Sequence, residues 1–420
     1  MESIASYTIY QLWIYAGLGI LHGLLGGKLL AKDLSLILTE SQAKQTTMKI
    51  KLLLIACVCS LTTACQDQKN DSQTGIESNK SESYFDLPDS LSTRRISFVL
   101  KLKKSVAENT WPDFGTKYNE GTLIYFDSEW SEVFFPDSYM IKKLQDIKKH
   151  SDNYWLSGRT DSIPYHMEVM ISFNEEDSTE FFFKNPVEQY SSVEEIGKYI
   201  PSVESTEMWS TMVIHEMFHH FQYNNENLVK YAESVIGVLP FDSRNLVALC
   251  QEDEQFLPMI QNENKILMKA ISEGNKDLRD SLITSYLGQR EKRIIKYGSE
   301  HPHLEQVENY YIIQEGSARY IEYQSMFNLK SYFNNSDAPT ILNDPKFKSF
   351  SEFEEIDLEN SAFNYLVYAG PTDYHYTIGF NIMRLLDELK IEFKKDLLNN
   401  PEKGLHQYLQ DYINSLPNNN

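Results

Sequence analysis

His215, Glu216 and His219 stand in the order H-E-x-x-H within Thr206 to Tyr223, TEMWSTMVIHEMFHHFQY. Trp209, Met212, Val213, Met217 and Phe221 recur at helical spacing, and Pro201 and Ser205 mark the approach to the helix start. Side chains one turn apart share a helix face, so both imidazoles can reach a single ion. Glu216, next to the first histidine, is close enough to take a proton from a water on that ion without ligating it. The expected cofactor is Zn2+, and Glu216 is the expected catalytic base. His220 points about 100° away from His219 and is expected to pack or to support a ligand.

A zinc site with two histidines needs a third protein donor and an open position for water. Glu315, in the stretch Ile312 to Tyr323 (IIQEGSARYIEY), is the expected donor. Gly316, Ser317 and Ala318 are small, which predicts a close approach of this helix to the one bearing His215. Glu322, two turns further on, is expected either to orient a ligand histidine as an acceptor or to take Glu315's place as ligand. His301 and His303 lie just before this helix and are the competing donors. His150 and His166 have no motif around them and are read as structural. Beyond them comes Tyr365 to Phe380, YLVYAGPTDYHYTIGF. Gly370-Pro371 breaks the chain there, and Tyr374, His375 and Tyr376 are expected to precede a helix through Leu385, Leu386 and Leu389.

The elements that must position these groups follow from pattern and composition. The chain has 420 residues, 41% hydrophobic and 13% aromatic, with a formal net charge of −21. These values fit a globular protein and argue against a nucleic-acid partner. Of the four cysteines, Cys57, Cys59 and Cys65 belong to the N-terminal region, so Cys250 stands alone in the body. A disulfide framework or cysteine zinc site is thereby excluded there. Strands are expected at Ile96 to Leu102, Thr122 to Phe126, Glu132 to Phe135, Glu168 to Phe173 and Glu180 to Phe183. Phe173 and Phe181 flank an acidic turn, suggesting a hairpin. After Phe221 the expected elements are helices: Asn227 to Leu239, a segment capped by Asp242 and interrupted near Pro258, Asp277 to Tyr297, and Leu304 to Phe327. The fold class is α+β, with a β-rich part over 86–200 and a helical, zinc-binding part over 201–417.

The N-terminus carries an address. MKIKLLLIACVCSLTTAC, from Met48 to Cys65, has a charged start, a short apolar run from Leu52 to Leu61 and small residues before the cysteine. Residues 48–64 resemble a bacterial lipoprotein signal peptide, which implies lipidation of Cys65. Thr62 departs from the usual aliphatic residue. Residues 65–85 are polar and read as a flexible tether. Over 1–47, Tyr7 to Gly27 reads either as a membrane helix or as sequence upstream of the true start at Met48. The expected partners are a lipid bilayer, through the anchor, and a peptide or protein substrate. The expected place is the bacterial cell envelope, with Gln66 after the cysteine favouring the outer membrane.

HEMFHH followed by EGSARY resembles the gluzincin class of zinc metallopeptidases, in which a helix bearing E-G-x-A-x-Y supplies the third ligand. The resemblance implies a zincin-like catalytic region, with His215, His219 and Glu315 as metal ligands and Glu216 as general base. It also implies a later Tyr or His that hydrogen-bonds the oxyanion, here Tyr376 or His375. A sheet beside the metal helix, where an extended substrate can pair with an edge strand, is implied as well. Two departures stand out: Arg319 occupies the place of an acidic residue in the thermolysin-type helix, and the segment between the motifs is longer. The alternative is a non-catalytic cell-surface binding lipoprotein that keeps the zincin-like fold.

Overall fold

The computed structural model describes residues 87–116, 121–159, 167–172, 184–200, 203, 205–335, 338–348 and 374–417. The expected signal peptide, Cys65 and tether, the Tyr7 to Gly27 stretch, the hairpin expected at Phe173/Phe181 with the strand expected at Glu180 to Phe183, Pro201, His166 and Gly370-Pro371 lie outside them. No helix among the described residues is long and apolar enough to cross a membrane.

The first element corrects an expectation. Ile96 to Leu102 forms part of a helix, α1 (Leu91–Asn109), started by a capping box between Ser90 and Thr93. Ile96, Phe98, Val99, Leu100 and Leu102 are all buried. Ile96, Phe98, Leu100 and Leu102 are apolar at every second position, with Ser97 and Lys101 between them, and this short alternation imitates a strand. Arg95 on this helix is also buried. It donates to both oxygens of Asp344, both of Glu194 and the Tyr125 hydroxyl at 2.7–2.9 Å.

The strands are β1 (Leu123–Phe126), β2 (Trp130–Phe134), β3 (Lys148–Lys149), β4 (Tyr154–Gly158), β5 (Met167–Ser172) and β6 (Lys184–Ser191). They form one sheet in the order β3-β4-β2-β1-β6-β5. β1 and β6 run parallel, and the other pairs are antiparallel. α2 (Val193–Tyr199) then leads to α3 (Thr206–Tyr223), which carries H-E-x-x-H and packs against β5 and β6. Trp209 fixes that contact by donating its indole N–H to the Ser191 carbonyl at 2.9 Å.

The later helices of six residues or more are α4 (Glu226–Tyr231), α5 (Ser243–Glu252), α6 (Phe256–Ser272), α7 (Lys276–Gly298), α8 (Leu304–Asn335), α9 (Tyr374–Glu388) and α10 (Gly404–Ser415). The architecture is therefore mixed: α1 first, then a small sheet, then a predominantly helical part, so the stretch expected to be β-rich opens on a helix. Asp242 caps α5 as expected. The amphipathic stretch from Asn227 is not one helix, because α4 runs into a π-turn at Ala232–Ile236. The interruption expected at Pro258 falls at Asp253–Gln255 instead. Pro258 sits in the first turn of α6, where its missing N–H leaves no helix bond unmade.

α8 packs against α3 on one side and α9 on another. Where α8 and α9 cross, Gly316 meets Gly379. A methyl group on Gly379 would lie 2.4 Å from the Ile312 carbonyl oxygen and 2.6 Å from the Gly316 Cα. This corrects the expectation for the small residues after Glu315: Gly316 faces α9, and Ser317 faces α3. Deeper in the helical part, Arg293 on α7 bridges Glu263 on α6 and Glu308 on α8 at 2.7–3.2 Å, all three buried.

The glycine crossing predicts a contrast. Gly379→Ala lowers stability by about 2–3 kcal/mol, since only backbone atoms could move aside. Gly288→Ala on α7, where a methyl group meets nothing within 4 Å, raises it by about 0.5–1 kcal/mol. Urea midpoints of the two variants check both signs.

Candidate metal centre

Every residue of α3 except Met208 and Tyr223 is buried. Ser205 caps its start by accepting from the Met208 N–H. A helix this deeply packed holds its side chains in fixed rotamers, which is what a constellation of donors requires. His215 and His219 lie with ring centroids 4.9 Å apart. Glu315 on α8 comes across to meet them: its Oε2 is 3.3 Å from His219 Nε2 and 4.0 Å from His215 Nε2. These three residues form the one group of metal-competent donors found among the described residues.

Each imidazole is oriented from behind. Glu322 Oε2 accepts from His215 Nδ1–H at 3.0 Å, and Arg319 holds the same oxygen at 2.9 Å. Gln222 performs the matching task for His219. Its Nε2 donates to the Gln314 carbonyl at 2.9 Å and to Ser317 Oγ at 2.7 Å. Its Oε1 must then be the atom facing His219 Nδ1 at 2.8 Å, so that nitrogen carries the proton. Both Nε2 atoms are thereby turned toward Glu315. On the far face of α3, His220 Nδ1 contacts Glu188 Oε1 on β6 at 2.7 Å, a packing role in line with its angle from His219.

The electrostatics follow from burial and neighbours. Burial resists ionisation of Glu315, but the charge of His219, with His215 and the Tyr376 hydroxyl adding to it, holds its pKa down to about 2. Burial likewise opposes a charge on His219, yet the carboxylates of Glu315 and Glu216 raise it to about 9. His215 goes the other way, lowered by burial and by its neighbours His219 and Arg319 in spite of Glu322. The trio left to itself is a buried ion pair beside a neutral imidazole.

Does this donor set suit a divalent metal? Tetrahedral bonds of ~2.0–2.1 Å hold donor atoms ~3.3–3.4 Å apart. The His219–Glu315 separation of 3.3 Å already matches, and His215 needs to close by roughly half an ångström. Glu315 Oε2 is buried and makes no well-formed hydrogen bond. Its charge is offset by the protonated His219 at 3.3 Å, a place that a divalent ion can take over. The two imidazoles and the carboxylate fit the ion.

Of the later residues, Tyr376 reaches the site. Its ring stacks on His215 at 5.9 Å and 21°, and its hydroxyl bonds Glu315. His375, at about 100° round the same helix, stacks on Tyr311 at 5.5 Å instead. Tyr374 to Tyr376 form the first turn of α9 and do not precede it. His301 packs against Phe241 at 5.4 Å, and neither it nor His303 joins the donor group. His150 is exposed beside Tyr154. Sequence reasoning passed over Gln222 and Tyr223. The Tyr223 ring stacks on His219 at 6.1 Å and 13°. Gln222 stands three places after His219, and helical spacing alone could have flagged it. Comparison of the chain with protein-family models, with curated proteins and with solved structures finds no match.

A pH dependence follows from His375. Burial lowers its pKa to about 4 from an ordinary 6.5. As the pH falls, the unfolded chain therefore takes up this proton first. The contribution to stability is complete above pH ~6.5 and lost on descending toward pH ~4, by about 3 kcal/mol. His215 and His406, also lowered, add in the same direction. Urea midpoints of chelator-treated protein should fall over this interval, and His375→Phe should flatten the slope relative to the parent.

Proposed function

We propose that this chain is a zinc-dependent peptidase of the gluzincin type, on a zincin-like α+β domain. The observation that carries the reading is Glu315 Oε2, buried without a good hydrogen bond and within 3.3 Å and 4.0 Å of two imidazole nitrogens. His215, His219 and Glu315 would hold the metal, with Glu322 and Gln222 fixing the two rings. When bound, the ion supplies a Lewis acid for the scissile carbonyl and lowers the pKa of water toward ~7.

Glu216 is the general base. It is buried on the same helix, one place from His215, and its charge is felt at His219. It takes the proton of the attacking water and later delivers it to the leaving nitrogen. Tyr376, bonded to Glu315, lies where its hydroxyl can turn to the carbonyl oxygen as charge develops there. β5 stands at one end of the strand order among the described residues and packs against α3. An extended peptide or protein substrate can pair with such an edge beside the metal helix. The sequence supports a lipid on Cys65, which would tether the domain to the cell envelope, at the outer membrane, with no role for nucleic acid.

Two predictions test the reading. Metal analysis of purified protein gives one zinc per chain, lost in His219→Ala. Glu216→Gln keeps its zinc while hydrolysis of denatured protein falls by at least about a hundredfold. A Glu216→Gln enzyme as active as its parent contradicts the mechanism. The second concerns protons. With the His219 pKa raised to about 9, zinc must displace a proton to enter at neutral pH. Calorimetric titration in buffers of different ionisation enthalpy should report release of about one proton, and no release contradicts the assignment.

A further inference from the structure

Arg319 stands where the thermolysin-type helix has an acid, and the geometry gives it a task. Glu315, Arg319 and Glu322 follow one another at four- and three-residue steps, which brings them onto one face of α8. The Arg319 guanidinium is 2.9 Å from Glu322 Oε2, and that oxygen accepts from His215 Nδ1–H at 3.0 Å. The same guanidinium lies over the Tyr376 ring, with Cζ 5.3 Å from its centroid. Tyr376 in turn stacks on His215 at 5.9 Å. The four groups close a circuit. The side chains of Arg319 and Glu322 are only 12% and 8% exposed, so solvent screens these contacts weakly.

We propose that Arg319 is a positioning residue that couples the orientation of His215, through Glu322, to the placement of Tyr376. A guanidinium suits the task because its planar fork can bond a carboxylate while its face lies on an aromatic ring. A lysine ammonium keeps the charge but cannot do both. The inference rests on the zinc-peptidase reading, and its two arms predict different observables. The Glu322 arm acts on zinc affinity. The Tyr376 arm acts on the chemical step, since the phenol contacts the developing charge.

The test uses zinc affinity by chelator competition, and kcat and KM at saturating zinc on the best-cleaved peptide of a mixed library. Arg319→Met should weaken zinc binding about tenfold and lower kcat about tenfold or more, with KM within about twofold of the parent. Arg319→Lys should recover most of the zinc affinity and little of kcat. In a Tyr376→Phe background, Arg319→Met should cost no further kcat, because both changes remove the same contribution. A generally loosened fold would instead multiply the two losses, and that result overturns the proposal. So does an Arg319→Met enzyme with parental zinc affinity and kcat. If Arg319→Met does not fold, Arg319→Lys decides: a parental kcat overturns the Tyr376 arm. A parent that takes up no zinc overturns the peptidase reading together with this inference. A parent that binds zinc and cleaves peptides while both Arg319 variants match it overturns this inference alone.

Discussion

A carboxylate in a protein interior must be compensated, and the cost of leaving it alone exceeds most single contributions to stability. Glu315 is such a carboxylate, presented by α8 to two imidazoles of α3. Around this meeting the structure has a consistent logic. The burial of α3 on all sides fixes the histidines. The Gly316–Gly379 contact lets α9 lie against α8, which brings Tyr376 over His215. Gln222 ties α3 to α8 twice, at the Gln314 carbonyl and at Ser317 Oγ, while presenting its remaining polar atom to His219. The same contacts that hold the layers together also aim the donors.

The two imidazoles are supported unequally. His215 has a charged acceptor, itself held by Arg319, whereas His219 has a neutral amide. His219 is also nearer to Glu315. The nearness of Glu315, and not the kind of acceptor behind each ring, decides the two pKa values: against burial, Glu315 and Glu216 raise His219, while burial, His219 and Arg319 lower His215 against the pull of Glu322. On the proposed reading an ion would take the place of the proton that His219 and Glu315 otherwise compete for, and it would draw the more distant His215 inward.

The parts of this arrangement that depend on local spacing were legible in the sequence. The i, i+4 histidines, the cap at Ser205 and the helical run after Phe221 all follow from neighbouring residues. Glu315 was legible only through a motif, because nothing local says which glutamate crosses to a helix about a hundred positions earlier. The sequence puts Tyr376 ahead of His375 but gives no local reason for the order, since the choice depends on how α9 is rotated against α8. The role of Arg319 was hidden for the same reason: as a substitution in a motif it reads as a defect, and in space it sits between Glu322 and Tyr376. The helix at Leu91–Asn109 was misread because Ile96, Phe98, Leu100 and Leu102 alternate over one short window, although Lys101, Lys104 and Glu108 mark an exposed helical face. Its Ser90–Thr93 capping box was the signal available.

The central claim is that His215, His219 and Glu315 hold one ion in common. Anomalous diffraction at the zinc edge, from crystals grown with zinc, tests it most directly. The account predicts a single peak ~2.0–2.2 Å from His215 Nε2, from His219 Nε2 and from a Glu315 oxygen. A site left without a peak, or an ion held elsewhere such as at His301 and His303, would contradict it.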